Sequence, residues 1–148
     1  MASLQALLLL LALASPAPAA PEGSFETLDA SALVRILGDL GYTGAEIDAD
    51  GDVIVPMQGH RVLLLLGSHR GRYLMARFAV TGSAADLKWA NEWNRDLRFA
   101  RVYLDQDGDP VLEAELDFVG GVRRANVEHF IRSFGDAVGT FLNRVPRR

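Results

Sequence analysis

Five consecutive apolar residues, Val62-Leu63-Leu64-Leu65-Leu66, place the strongest constraint on what this chain can become. Successive side chains of a strand point to opposite faces of a sheet. A strand without alternation is therefore apolar on both sides and belongs in the middle of a sheet. Its natural partner is Arg72 to Val80, which returns across Gly67-Ser68-His69-Arg70-Gly71. Pairing the two puts Val62, Leu64, Leu74, Ala76 and Phe78 on one face and Leu63, Leu65, Tyr73 and Met75 on the other. Water is a poor neighbour for either set, so each face needs a cover.

The rest of the sheet is written in hairpins. Asp48-Ala49-Asp50-Gly51-Asp52 suits a three-residue loop with glycine in the left-handed position, joining segments within Thr43 to Met57. That loop pairs Ile47 with Val53. Asp105-Gln106-Asp107-Gly108-Asp109 repeats the pattern between Arg98–Asp105 and Asp109–Phe118. The register then sets Val102 against Leu112 and Ala100 against Ala114. It also sets Arg101 against Glu113, an opposite-charge cross-strand pair that favours this register over its one-residue slip. Phe99, Tyr103 and Glu115 fall on the face of Arg101 and Glu113.

Three amphipathic segments complete the chain. Asp29 can cap a helix with Leu33, Ile36, Leu37 and Leu40 on one side, ending near Gly41. Ser83-Ala84-Ala85-Asp86 has the outline of a capping box, leading into a helix through Leu87, Trp89, Ala90, Trp93 and Leu97. Asn91 and Asn94 sit at or inside its apolar arc. A buried amide needs partners, so the pair is expected to tie this helix to the following strand, with a ligand-binding amide pair as the other reading. The last helix runs from about Arg124 to Arg144, with an apolar stripe from Val127 to Val145. The order α-β-β-β-β-α-β-β-α predicts an α+β fold with a mainly antiparallel six-stranded sheet.

Composition narrows the function. With no cysteine there is no thiol nucleophile, disulfide or thiolate metal site. A net charge of −4 argues against a nucleic-acid partner. His60, His69 and His129 lack metal-ligand spacing, and no nucleophile elbow or phosphate loop occurs. We therefore expect no catalytic residues, no metal and no cofactor. The aspartate clusters depart from the calcium loop in the place of their glycine and in lacking its closing glutamate. A small-ligand or calcium-binding sensor domain stands as the alternative class. At the N-terminus, Leu4 to Ala14 is nearly all Leu and Ala and is followed by Ser15-Pro16-Ala17-Pro18-Ala19. This has the form of a secretory signal peptide, residues 1–19, cleaved after Ala19, with a buried N-terminal helix and an uncleaved membrane tether as the other readings. It predicts a periplasmic or secreted product with no membrane span in the mature form. Residues 20–27 read as a leader, 28–145 as a single domain and 146–148 as a basic tail.

Three stretches carry a family resemblance: Gly38-Asp39-Leu40-Gly41-Tyr42; Asn91-Glu92-Trp93-Asn94 with Arg98-Phe99-Ala100-Arg101-Val102-Tyr103-Leu104; and Gly120-Gly121 before a Phe-rich final helix. Over about residues 28–143 the chain resembles the YbjN-like family of bacterial sensory-transduction regulators, whose fold is similar to that of type III secretion chaperones. Asn91, Trp93 and Asn94 are its structural motif. The resemblance implies a non-enzymatic domain used in regulation or chaperone-like protein binding, often self-associating. The expected binding surface is the second sheet face: Leu63, Leu65, Tyr73 and Met75, extended by Phe99 and Tyr103 and rimmed by Arg101, Glu113 and Glu115. The last helix folding round, a second copy or a client segment could each cover it.

Overall fold

The computed structural model describes residues 23–66 and 70–147; the expected signal peptide and His69 lie outside the described residues. The elements are β1 (Ser24–Phe25), α1 (Ala30–Asp39), β2 (Glu46–Ile47), β3 (Val53–Met57), β4 (His60–Leu65), β5 (Tyr73–Ala79), α2 (Leu87–Asp96), β6 (Arg101–Leu104), β7 (Pro110–Asp117), β8 (Val122–Arg123) and α3 (Arg124–Arg144). Six strands form one antiparallel sheet in the order β2-β3-β4-β5-β7-β6. The apolar strand β4 is interior, as its composition demands. Three expected pairings hold, Ile47 with Val53, Val102 with Leu112 and Arg101 with Glu113, while the β6–β7 ladder begins at Arg101 and does not take in the expected Ala100–Ala114 pair.

Both aspartate loops close as hairpins by one mechanism. Asp48 accepts through Oδ1 from the amides of Asp50 and Asp52, while Gly51 takes a φ of 83°. Asp105 accepts likewise from Asp107 and Asp109, with Gly108 at 81°. These are Asx-type turns, in which a short carboxylate replaces backbone partners. The turn between β3 and β4 gave no clear sequence signal. Gln58 and Gly59 both have positive φ, 52° and 77°, the geometry that matches the twist of a two-residue hairpin.

The core lies on one side of the sheet. Leu33, Ile36 and Leu37 of α1 and Val127, Ile131, Phe134, Val138 and Phe141 of α3 pack with Val53, Val55, Val62, Leu64, Leu74, Ala76, Leu112 and Phe118. Phe141 gathers the rings of Phe78, Trp89 and Trp93 edge-on, at centroid distances of 5.6–5.8 Å. Among the described residues no helix is long and apolar enough to cross a membrane.

The expected leader is partly built into the fold, because Ser24 and Phe25 pair with Arg123 and Val122. Leu28 is buried and donates its amide to the Gly71 carbonyl at 2.8 Å. Helix α2 starts three residues later than the capping-box reading implies. Asp86 is its N-cap, accepting from Trp89 N–H at 2.8 Å, while Ser83 accepts from Ala85. The cap used is the residue next to the apolar period.

The Asn-Glu-Trp-Asn motif joins α2 to β6. Asn94 donates to the Val102 carbonyl at 2.9 Å and accepts from its amide at 2.8 Å, and Trp93 Nε1–H donates to the Ala100 carbonyl at 3.0 Å. Asn94 thereby gives the outer edge of β6 both bonds a further strand would supply. Both amides are exposed, but among the described residues Asn91 is brought to no strand, which corrects the expectation that the two act as a buried pair. On the helix surface the two are three residues apart, and only Asn94 reaches β6. Asn94→Ala should lower stability by about 1–3 kcal/mol, read by chemical denaturation, whereas Asn91→Ala should change it by less than about 0.5 kcal/mol.

Candidate functional site: the open sheet face

Ile54, Leu63, Leu65, Tyr73 and Met75 share the sheet face turned away from the helices. All are half-buried, and none belongs to the core that the helices pack into. Leu65 and Met75 are direct cross-strand neighbours, and Leu63 lies opposite Arg77. Among the described residues no helix covers the row, so a half-buried apolar strip remains in contact with solvent.

A charged cluster bounds the strip. Glu113, at the centre of β7, is 2 % exposed although it lies on the open face. Arg77 reaches its Oε2 through Nε at 2.9 Å and Nη2 at 2.6 Å. Arg101 engages Oε1 through Nη2 and, at 3.1 Å, through Nε. Tyr103 donates its hydroxyl to Oε2 at 3.3 Å. Glu115 lies 3.5 Å from Arg101 Nη2, and Arg77 Nη2 is also 3.5 Å from Met75 Sδ. Three planar or aromatic side chains thus lie over one carboxylate and exclude water from it. Burial acts to raise the Glu113 carboxyl, but the hydrogen bonds from Arg101 and Arg77, with their charge, hold it below its ordinary value. Burial, and then the Glu113 charge, push the Tyr103 hydroxyl up. The arginines remain about 39 % and 63 % exposed, so the cluster presents cationic, hydrogen-bonding edges around a neutralised centre.

Tyr103, Arg101, Glu113 and Glu115 therefore meet on the same face as Leu63, Leu65, Tyr73 and Met75. Phe99 does not join them. Its φ of 72° turns the backbone out of line before β6 begins, and its ring lies edge-on to His129 of α3, 6.4 Å between centroids. Sequence alternation assumed that the strand ran on through Phe99, and a single left-handed residue breaks that assumption.

The other candidates are engaged locally. Besides the two turn-forming carboxylates, Asp52 accepts from the Leu66 amide and Asp109 from the Gly82 amide. Among the described residues no group of three or more acidic or histidine side chains is placed to hold a metal ion. His60 stacks edge-on against Phe78, and His129 lies 3.5 Å from Ser133 Oγ. Sequence reading missed Arg77 as a member of the cluster. Its signal was available, since the β5–β7 register places it opposite Glu113. That pairing crosses an intervening helix and strand, however, and no hairpin announces it.

A family model described as "Putative bacterial sensory transduction regulator", YbjN, matches residues 29–147. The chain belongs to the YbjN family. Among solved structures, YbjN from E. coli is similar at 21 % identity and a TM-score of 0.57, covering 72 % of this chain and 82 % of that one. The Yersinia pestis type III secretion chaperone SycH, solved in complex with a stable fragment of YscM2, is similar at 18 % identity and a TM-score of 0.53. It covers 75 % of this chain and 97 % of that one. Both share the fold: this YbjN domain has the α+β, secretion-chaperone-like architecture. A search of curated proteins finds no significant match.

Glu113 links the face to pH. A carboxyl whose folded-state value is depressed adds stability above its ordinary value of 4.5, and that stability fades as pH falls through the folded-state value. Glu113→Gln should cost about 1–3 kcal/mol at neutral pH by removing the charge and one of the two acceptor oxygens that the arginines share. Denaturation midpoints of variant and parent should converge below pH 4.5. A gap that stays constant into strong acid would show that the arginines do not keep Glu113 ionised.

Proposed function

We propose that this YbjN domain is an exported, non-enzymatic regulatory or chaperone-like module that binds protein through its open sheet face and can pair with a second copy there. One observation carries the reading: a row of half-buried Ile, Leu, Tyr and Met side chains stands on a face that no helix covers, among the described residues. Apolar patches rimmed by polar groups mark association surfaces in soluble proteins. The rim formed by Arg77, Arg101, Tyr103 and Glu115 supplies orientation, because mispairing those charges in a contact is costly. The family's description as a sensory-transduction regulator and the SycH-like fold support regulation by binding. No step in this role is covalent; it is an equilibrium of association.

Export rests on the Leu- and Ala-rich Leu4 to Ala14 with small residues at Ala17 and Ala19. Protein recovered from the periplasm should begin at Ala20 by intact mass. A product that stays in the cytoplasm with residues 1–19 attached would overturn this part.

For the face, light scattering on the mature protein should show mass rising with concentration. Leu65→Arg with Met75→Arg should return it to monomer with an unchanged far-ultraviolet spectrum. A parent protein that is monomeric throughout and binds no apolar-surface dye would sink the proposal.

A further inference from the structure

Strand edges attract further strands, and natural sheets blunt them. In this sheet two outward positions are blunted and a third stretch is left open. On β6 the outward residue Val102 has both backbone groups bonded by Asn94. On β3, beyond the pairing with β2, the outward residue is Pro56, which has no N–H to offer.

β7 differs. Its outer neighbour β6 pairs only as far as Arg101 with Glu113, yet β7 continues to Asp117. Antiparallel residues alternate between the two neighbouring strands. Val80 and Phe118 bond Pro110 and Arg72 on the β5 side, which assigns even-numbered β7 residues to β5 and odd-numbered ones to the outer edge. The backbone N–H and C=O of Glu115 and Asp117 therefore point outward, past the end of β6, with no backbone partner among the described residues. Continued in register, Phe99 would face Glu115. Its left-handed φ prevents this, and the ring is 80 % exposed instead.

Beside this open edge lies a cavity of about 230 Å³ between β7 and α3, walled by Ala100, Ala114, Leu116, Phe130 and Phe134. A strand added to β7 would send every second side chain into it, next to Ala114 and Leu116. The side chains between would fall on the opposite face, beside Glu115, 52 % exposed, and Asp117, whose Oδ1 accepts from the Val119 amide. Cross-strand pairing with two carboxylates calls for cationic residues there.

We propose that the Glu115–Asp117 edge of β7 and the adjoining α3 cavity accept an extended segment of a protein partner in which apolar residues alternate with lysine or arginine. Unpaired ladder groups specify a strand, the cavity specifies apolar side chains on one face, and the carboxylates specify cations on the other. The edge is distinct from the Leu63–Leu65–Met75 strip although its carboxylates stand on the same face, and the two are read by different measurements: light scattering for the strip, amide exchange for the edge.

The probe is a blocked five-residue peptide of alternating lysine and leucine, titrated into isotope-labelled mature protein. Saturation should slow hydrogen exchange of the Glu115 and Asp117 amides by about tenfold or more and shift the resonances of Ala114, Leu116 and Phe130. Methylating the peptide's ladder-forming nitrogens should abolish these effects. Replacing its lysines by glutamate should weaken binding by about tenfold or more, and Glu115→Lys with Asp117→Lys should reverse that preference. Ser133→Trp, at the cavity rim, should block the peptide in a folded protein and guards against misfolding of the strand variants. Equal binding of the methylated peptide, or shifts centred on Leu63, Leu65 and Met75 with no protection at Glu115, would overturn the proposal.

Discussion

All three helices described here pack against one face of the six-stranded sheet, and the rest of the molecule follows from that placement. α1 supplies Leu33, Ile36 and Leu37 and α3 supplies the stripe from Val127 to Phe141, enough apolar surface to close one face. The one helix-bearing crossover, β5–α2–β6, puts α2 into the same core as α1 and α3, so no described helix reaches the other side. A strand as apolar as β4 is thus well covered on Val62 and Leu64 and poorly covered on Leu63 and Leu65. An open apolar face carries a risk of non-specific association, and the Glu113 cluster sits in its path. A buried carboxylate shared between two arginines adds less stability than its geometry suggests, because desolvation offsets attraction. It does give the surface fixed directions for hydrogen bonding.

The Asn-Glu-Trp-Asn stretch is best understood as edge chemistry. Trp93 anchors α2 in the aromatic group around Phe141 and bonds Ala100, while Asn94 completes the ladder of β6 at Val102. A helix thereby protects a strand that would otherwise be free to pair. The same corner leaves β7 longer than β6, since Phe99 turns away immediately before Ala100. Sealing one edge and exposing a short piece of the next are two results of a single α-β junction.

Much of the fold was legible in residues close together in the chain. Hairpin registers, turn glycines, the cap at Asp29 and the interior position of β4 all depend on spacing and local hydrogen bonding, and they agree with the structure. The face holding Leu63, Leu65, Tyr73 and Met75 was legible too, because a period of two leaves no other side for them. Legibility failed where a distant partner or a single dihedral decided the outcome. Arg77 meets Glu113 only through the β5–β7 pairing, Ser24 and Phe25 are ordered by β8 nearly a hundred residues away, and Phe99 leaves the face by one backbone rotation.

By itself, then, the sequence determined an antiparallel α+β domain with a strand apolar on both sides, for alternation and turn chemistry are local and additive. Only the tertiary structure decided which face the helices would take, which carboxylate would be buried under arginines, and where the β7 ladder would be left unpaired. Those outcomes depend on how elements of fixed length meet in space, and no short window of residues contains that information.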